Sequence, residues 1–212
     1  MGLNKIQKSS HIEQTLLDLT KICVQNDIRY LVIGSCAMIC ALDKLVRTPF
    51  DIDCLYDVNQ EEILEKELTK LGYKKVIQNH TINKFLQKPL VRYVNNKKII
   101  EPRRVKFRKS NLEIPLYLPF IGGVGSLNLK FQFPLFTPVI YQFGKAKFYG
   151  LKKEALCLAL QKSVNLNFGG RKEKLKRAQD LRLLLRSLNN DQLKILKEDK
   201  SGLYFKNFPM FT

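Results

Sequence analysis

An apolar run, "YLVI" at residues 30–33, stops at Gly34-Ser35, and a second apolar run then carries two aspartates one residue apart, Asp51-Ile52-Asp53. Asp is disfavoured in strands and two on one face repel, so a chain that keeps both must offset the cost with a ligand. Residues i and i+2 of a strand point to the same face, with α-carbons about 7 Å apart. Such a face can hold one or two divalent cations, an arrangement that suits in-line phosphoryl displacement. The Gly-Ser break offers a complementary feature. Where a strand gives way to a helix, free backbone N–H groups and a hydroxyl stand at a helix N-terminus, where phosphate binds well.

The surrounding pattern supplies the elements this requires. Ser10-x-x-Glu13 is a capping box, and Ile12, Leu16, Leu19 and Cys23 recur at helical spacing, which predicts an amphipathic helix over 11–26. "RYLVIGS" reads as a buried strand, residues 36–45 as a short helix, "FDIDCLY" as a second strand and "NQEEILEKELTKLG" as a helix stopped at Gly72. From "YKKVIQ" to "LEIPLYLP" apolar and basic residues alternate, as in hairpins, with Asn95-Asn96 and Pro102 as breaks. Residues 119–150 lack clear periodicity, and "IGGVGS" within them has neither the Gly-Lys-Ser/Thr of a phosphate loop nor a following helix, so it reads as a plain loop. Two helices are expected to close the chain, "KKEALCLALQKSVNL" and "RKEKLKRAQDLRLLLRSL", the second with Leu175, Ala178, Leu181, Leu185 and Leu188 on its apolar face.

Charge bears on the partner. The net charge is +18, unevenly spread. Residues 11–73 carry 6 basic and 11 acidic side chains, residues 74–110 carry 12 and 1, and residues 145–212 carry 16 and 6. An acidic segment flanked by basic ones is the pattern of a metal site beside a polyanion. Five cysteines without a Cys-x-x-Cys pair read as buried free thiols, and with only His11 and His80 to add a His/Cys metal cluster is not expected. A metal here would be held by carboxylate oxygens, which points to Mg²⁺ or Mn²⁺. No run approaches the ~20 apolar residues of a membrane helix and no signal-peptide core is present, so a soluble, cytoplasmic protein with no membrane partner is expected.

Gly34-Ser35, eleven intervening residues, Arg47 and then Asp51-Ile52-Asp53 resemble the first motif of the DNA polymerase beta-like nucleotidyltransferase superfamily. The resemblance implies an α+β fold, a mixed and mostly antiparallel sheet with flanking helices and additional C-terminal helices. It implies a catalytic core over 1–150 and a helical part over 151–212 packed on it. It further implies that Gly34 and Ser35 contact a nucleoside triphosphate, with Arg47 nearby, that Asp51 and Asp53 bind metal, and that a third acid on a later strand completes the site. Glu113 in "NLEIPLYLPF" is the first candidate for that acid and Glu101 the second.

The C-terminal half is similar to the AbiEii-type abortive-infection toxin branch, the toxins of type IV toxin-antitoxin systems, through "LKKEALCLALQK" and "RAQDLRLLL". By that similarity Lys162 contacts nucleotide phosphate, and Asp180 sits near the acceptor or orients a basic partner. Thr commonly stands two residues before the first aspartate in that branch, whereas Pro49 holds this place here. The implied reaction transfers a nucleoside monophosphate to an acceptor hydroxyl. The acceptor is RNA, a tRNA 3′ end in the toxin branch, with a cognate antitoxin as partner. Alternatives are a small-molecule or protein acceptor, and an inactive fold that only binds nucleic acid.

Overall fold

The computed structural model describes residues 10–78, 90–108, 111–120, 123–132, 137–165, 171–198 and 203–206. The chain runs α1 (Ser10–Gln25), β1 (Tyr30–Val32), α2 (Gly34–Leu42), β2 (Ile52–Asp57), a 3₁₀ turn (Val58–Gln60) and α3 (Glu61–Lys70). It continues through β3 (Lys74–Gln78), β4 (Leu90–Asn95), β5 (Lys98–Phe107), β6 (Asn111–Phe120), β7 (Gly123–Gln132), β8 (Val139–Phe143) and β9 (Ala146–Gly150). The last elements are α4 (Lys153–Asn165), α5 (Arg171–Arg186), α6 (Asn190–Glu198) and β10 (Leu203–Lys206).

The strands form one mixed sheet in the order β10-β7-β6-β5-β2-β1-β9-β8, with the β3–β4 hairpin joined to β5. Among the described residues the parallel pairings are β2 with β5 and β1 with β9, and the others are antiparallel. This is the expected α+β architecture. The stripe of α1 is buried as its spacing predicts, with Ile12, Leu16 and Leu19 at 0% exposure. Each such side chain contributes roughly 1.5–3 kcal/mol relative to exposure. Tyr73 Oη and Lys98 Nζ both donate to Asp18 Oδ2, at 2.9 and 2.7 Å, and tie α1 to the sheet. Apolar throughout, α2 is an interior helix whose Ser35, Cys36, Ala37, Met38 and Ile39 are all buried. The cysteines are free, and all but Cys40 are buried. No helix among the described residues is long and apolar enough to cross a membrane.

Four expectations change. Pro102 does not break β5, which runs through it and pairs Pro102 with Cys54 of β2. The β4–β5 pairing is confined to Lys98–Ile100, so the missing N–H of Pro102 falls beyond the paired stretch. The segment without clear periodicity over 119–150 holds β7, β8 and β9, and Gly123 and Gly125 of "IGGVGS", read as a plain loop, are strand residues paired with Phe120 and Leu118. Glycine and proline there masked a sheet that long-range pairing stabilises. Two further elements, α6 and β10, follow α5. The inward face of α5 is also rotated from the leucine stripe: Leu184 is buried at 0% and Asp180 at 6%, while Leu175 and Leu185 are exposed. Burying Asp180 requires a charged partner, and its identity bears on the site.

Candidate active site

The chain places the Gly-Ser break and the aspartate pair side by side. Ile33 N–H donates to Asp53 O at 2.9 Å, which fixes the end of β1 against β2. The next residue, Gly34, has φ +68, a left-handed conformation that favours glycine, and a Cβ there would lie 2.3 Å from Asp53 Oδ2. Gly34 therefore serves two purposes, turning the chain into α2 and letting the Asp53 carboxylate pack directly against its backbone. Ser35, in the first turn of α2, is buried.

Asp51 lies in a bend just before β2 and Asp53 is the second residue of that strand. In the parallel β2–β5 pairing Asp53 faces Glu101, so the two carboxylates share a sheet face. Glu113 lies on β6 opposite Lys106, five residues along β5 from Glu101, a separation of roughly 17 Å. The backbone thus puts Glu101, not Glu113, beside the aspartates, because β6 pairs only with the far end of β5. The side chains of Glu113 and of Lys162, which is on α4, lie outside the described residues.

Three acids in one place perturb one another. The Glu101 carboxyl, ordinarily near 4.5, is pushed up to about 7, first by burial and then by the Asp53 and Asp51 charges. Asp51 is also raised, by burial and by Asp53, although its hydrogen bond with Glu101 favours its charged form. Two guanidinium groups offset the cluster. Arg92, next to the Tyr93 that faces Ile100 on β5, forms an ion pair with Glu101. Neither Arg92 Nε nor Glu101 Oε1 has a hydrogen-bond partner among the described residues, so this pairing is electrostatic rather than well aligned. Arg103, two residues beyond Glu101 on the same face of β5, donates from Nη2 to Asp53 Oδ1 at 3.2 Å.

Among the described residues no three His, Cys, Asp or Glu side chains stand arranged to hold a metal ion as they are. The donor set nevertheless fits a hard divalent cation by its chemistry: the carboxylates of Asp53 and Glu101 face each other on neighbouring strands, and that of Asp51 is hydrogen-bonded to Glu101.

The titration of Glu101 has a measurable consequence. A carboxyl whose folded pKa is raised contributes stability that is complete below its unfolded value, about 4.5, and lost as pH rises through about 7. Glu101→Gln should remove that dependence. We expect it to melt about 3–6 °C above wild type at pH 8 and level with it near pH 4.5, from about 1–2 kcal/mol of relieved repulsion. Parallel melting curves for the two proteins across this range would contradict the assignment.

The partner of Asp180 is Arg47. The two form an ion pair across 133 residues of sequence, with side chains 8% and 30% exposed. It joins α5 to the loop that leads into Asp51. One turn earlier on α5, the Lys176 ammonium is near enough to Asp51 to favour its charged form. The structure thus brings together Gly34, Ser35, Asp51, Asp53 and Glu101, and links Arg47 to Asp180. Arg92, Arg103 and Lys176 were not singled out from sequence. The available signals were the i, i+2 spacing of Arg103 from Glu101 and the i, i+4 spacing of Lys176 from Asp180. Asp180→Ala should cost about 1–3 kcal/mol in denaturant unfolding, the range for a hydrogen bond to a charged group. A loss below about 0.5 kcal/mol would place the pair among ordinary surface contacts.

No family model matches the sequence, and a search of curated proteins finds no match. Solved structures do match. The crystal structure of ANT(2″)-Ia in complex with adenylyl-2″-tobramycin superposes with a TM-score of 0.55 at 12% identity, over 87% of this chain and 94% of that one. The lincosamide antibiotic adenylyltransferase LnuA, lincomycin-bound, gives 0.54 at 16% identity, over 84% and 98%. An antigenic nucleotidyltransferase-like protein from Paracoccidioides brasiliensis gives 0.52 at 13%, over 89% and 86%. At these identities the likeness is one of fold, and the chain has the fold of nucleotidyltransferases.

Proposed function

We propose that this protein is a metal-dependent nucleotidyltransferase that moves a nucleoside monophosphate from a nucleoside triphosphate to an acceptor hydroxyl, with release of pyrophosphate. The observation that carries this reading is the packing of the Asp53 carboxylate against Gly34 and the facing of Asp53 and Glu101 across β2 and β5. In this reading residues 1–150 are the catalytic core and residues 151–212 a helical part that covers it. The Gly34-Ser35 turn presents N–H groups and a hydroxyl to the outer phosphates. Arg47, oriented by Asp180, and Lys162 add positive charge for the triphosphate. Asp51, Asp53 and Glu101 hold Mg²⁺ or Mn²⁺, Glu101 taking the role first given to Glu113. When bound, the metal neutralises charge on the triphosphate and polarises the reacting phosphoryl group. The acceptor oxygen, its proton taken by Glu101, bonds to the α-phosphorus as the bond to the pyrophosphate oxygen breaks. Positioning and electrostatics carry most of such catalysis.

RNA is the acceptor we favour, plausible for a tRNA 3′ end and a toxin-like role with a cognate antitoxin. The basis is the charge: Lys74, Lys75, Lys97, Arg103, Lys106 and Arg108 are exposed on or beside β3, β4 and β5, the strands next to the acids. Such a surface tracks phosphates and repels cationic acceptors. A small-molecule acceptor is the second reading, because the chain matches antibiotic adenylyltransferases over 94% and 98% of their length. The deciding experiment incubates the protein with each labelled nucleoside triphosphate, Mg²⁺, and total RNA, an aminoglycoside or a lincosamide. Label in RNA supports the first reading and label in the small molecule the second. No label in any acceptor, with salt-sensitive RNA binding, would leave a binding module and overturn the enzymatic proposal.

A further inference from the structure

The two arginines among the acids are not equivalent. Arg92 and Glu101 are an interior pair, 25% and 6% exposed at their side chains. Arg103 is 49% exposed and holds Asp53 through one contact of 3.2 Å. That contact uses Asp53 Oδ1, while Oδ2 packs against Gly34. Together the acids carry a formal charge of −3, and Arg103 is the arginine that can leave at lower cost, because its side chain is about twice as exposed as that of Arg92. It is also rooted in the same face of β5 as Glu101, so a guanidinium released from Asp53 remains beside the row of carboxylates.

We propose that Arg103 is an exchanging cation: it neutralises Asp53 in the metal-free protein, gives up Asp53 Oδ1 to a divalent metal, and then serves as a ligand of the nucleotide triphosphate. The inference rests on the nucleotidyltransferase reading. A planar guanidinium with paired donors suits phosphate oxygens. The exchange balances charge: the incoming cation replaces one positive neighbour of Asp53, and the triphosphate receives the arginine set free. Nucleotide then binds well only once metal has displaced Arg103, which couples the two ligands.

The test separates two affinities. Mn²⁺ binding without nucleotide is followed by the loss of its free-ion EPR signal. Binding of a non-hydrolysable nucleoside triphosphate analogue is followed by calorimetry at saturating Mn²⁺. Removal of the competing guanidinium in Arg103→Ala should tighten Mn²⁺ binding about 3- to 10-fold, while the loss of a phosphate contact weakens the analogue about 10-fold. Arg103→Gln should behave like Arg103→Ala, and Arg103→Lys should retain part of both effects. Circular dichroism and melting of each variant show whether it is folded, and a purely structural disturbance would weaken Mn²⁺ rather than tighten it. Unchanged or weaker Mn²⁺ binding in folded Arg103→Ala and Arg103→Gln overturns the proposal. Loss of Mn²⁺ binding in Asp53→Asn upholds the functional reading regardless of that result. Wild type that binds neither Mn²⁺ nor the analogue overturns both.

Discussion

Asp53→Asn should lower nucleotidyl transfer by about 10³-fold or more while the protein stays folded. The substitution keeps the shape of the side chain and removes the charge that, in the proposed function, holds a divalent cation. Losing the several kcal/mol that such a cation contributes at the transition state corresponds to that factor. Stability should move the other way, since Asp53 raises the pKa of both Asp51 and Glu101. Without its charge their repulsion eases, and Asp53→Asn should melt at or above wild type at pH 8. A variant within tenfold of wild-type turnover would remove Asp53 from the chemistry. A variant that simply unfolds would contradict the charge argument.

Gly34→Ala carries the second large effect, for two separable reasons. The backbone at φ +68 costs a non-glycine residue about 1–2 kcal/mol. The new methyl would also lie 2.3 Å from Asp53 Oδ2 and 3.1 Å from Asp53 Cβ, so the carboxylate must turn away from Gly34. Displacing a reacting group by about 1 Å costs on the order of 10² in rate, and that loss is expected here together with a melting temperature lower by about 3–6 °C. The steric part is isolated by repeating the substitution in an Asp53→Gly background. There only the backbone cost should remain, so the two changes should be non-additive in unfolding free energy. Strict additivity would show that the methyl and the carboxylate never meet.

The first half of the site was legible because it is local. Gly34-Ser35 and Asp51-x-Asp53 are short patterns read from residue type and spacing; the first falls where β1 gives way to α2, and the second straddles the start of β2, with Asp51 in the bend before the strand rather than inside it. The third acid was not legible in the same way. Whether Glu101 or Glu113 faces Asp53 is decided by the register of β2 against β5, strands separated by a hairpin and a helix, and hydrophobic alternation does not encode that register. Reading Pro102 as a break made Glu101 look like the end of a strand, when it lies in the middle of one. The inward face of α5 was misjudged for a related reason. A leucine count places the apolar stripe on Leu175 and Leu185, but the ion pair with Arg47 draws Asp180 inward and brings Leu184 with it. Both misses are tertiary interactions overriding a local pattern.

The ion pair between Arg47 and Asp180 also has a consequence in time. Acids and guanidinium groups from β2, β4 and β5 are all present once residue 107 has been synthesised, yet the partner of Arg47 lies 133 residues after it. At roughly 5–20 residues per second, a nascent chain carries an unpartnered Arg47 for about 7–27 seconds. Over part of that interval the outer edge of β1 is open as well, because its neighbour β9 ends only at Gly150. The growing chain therefore displays its carboxylates long before it can clamp the loop that leads to them. The loop is clamped only when α5 has been translated, well after the strands that carry the acids.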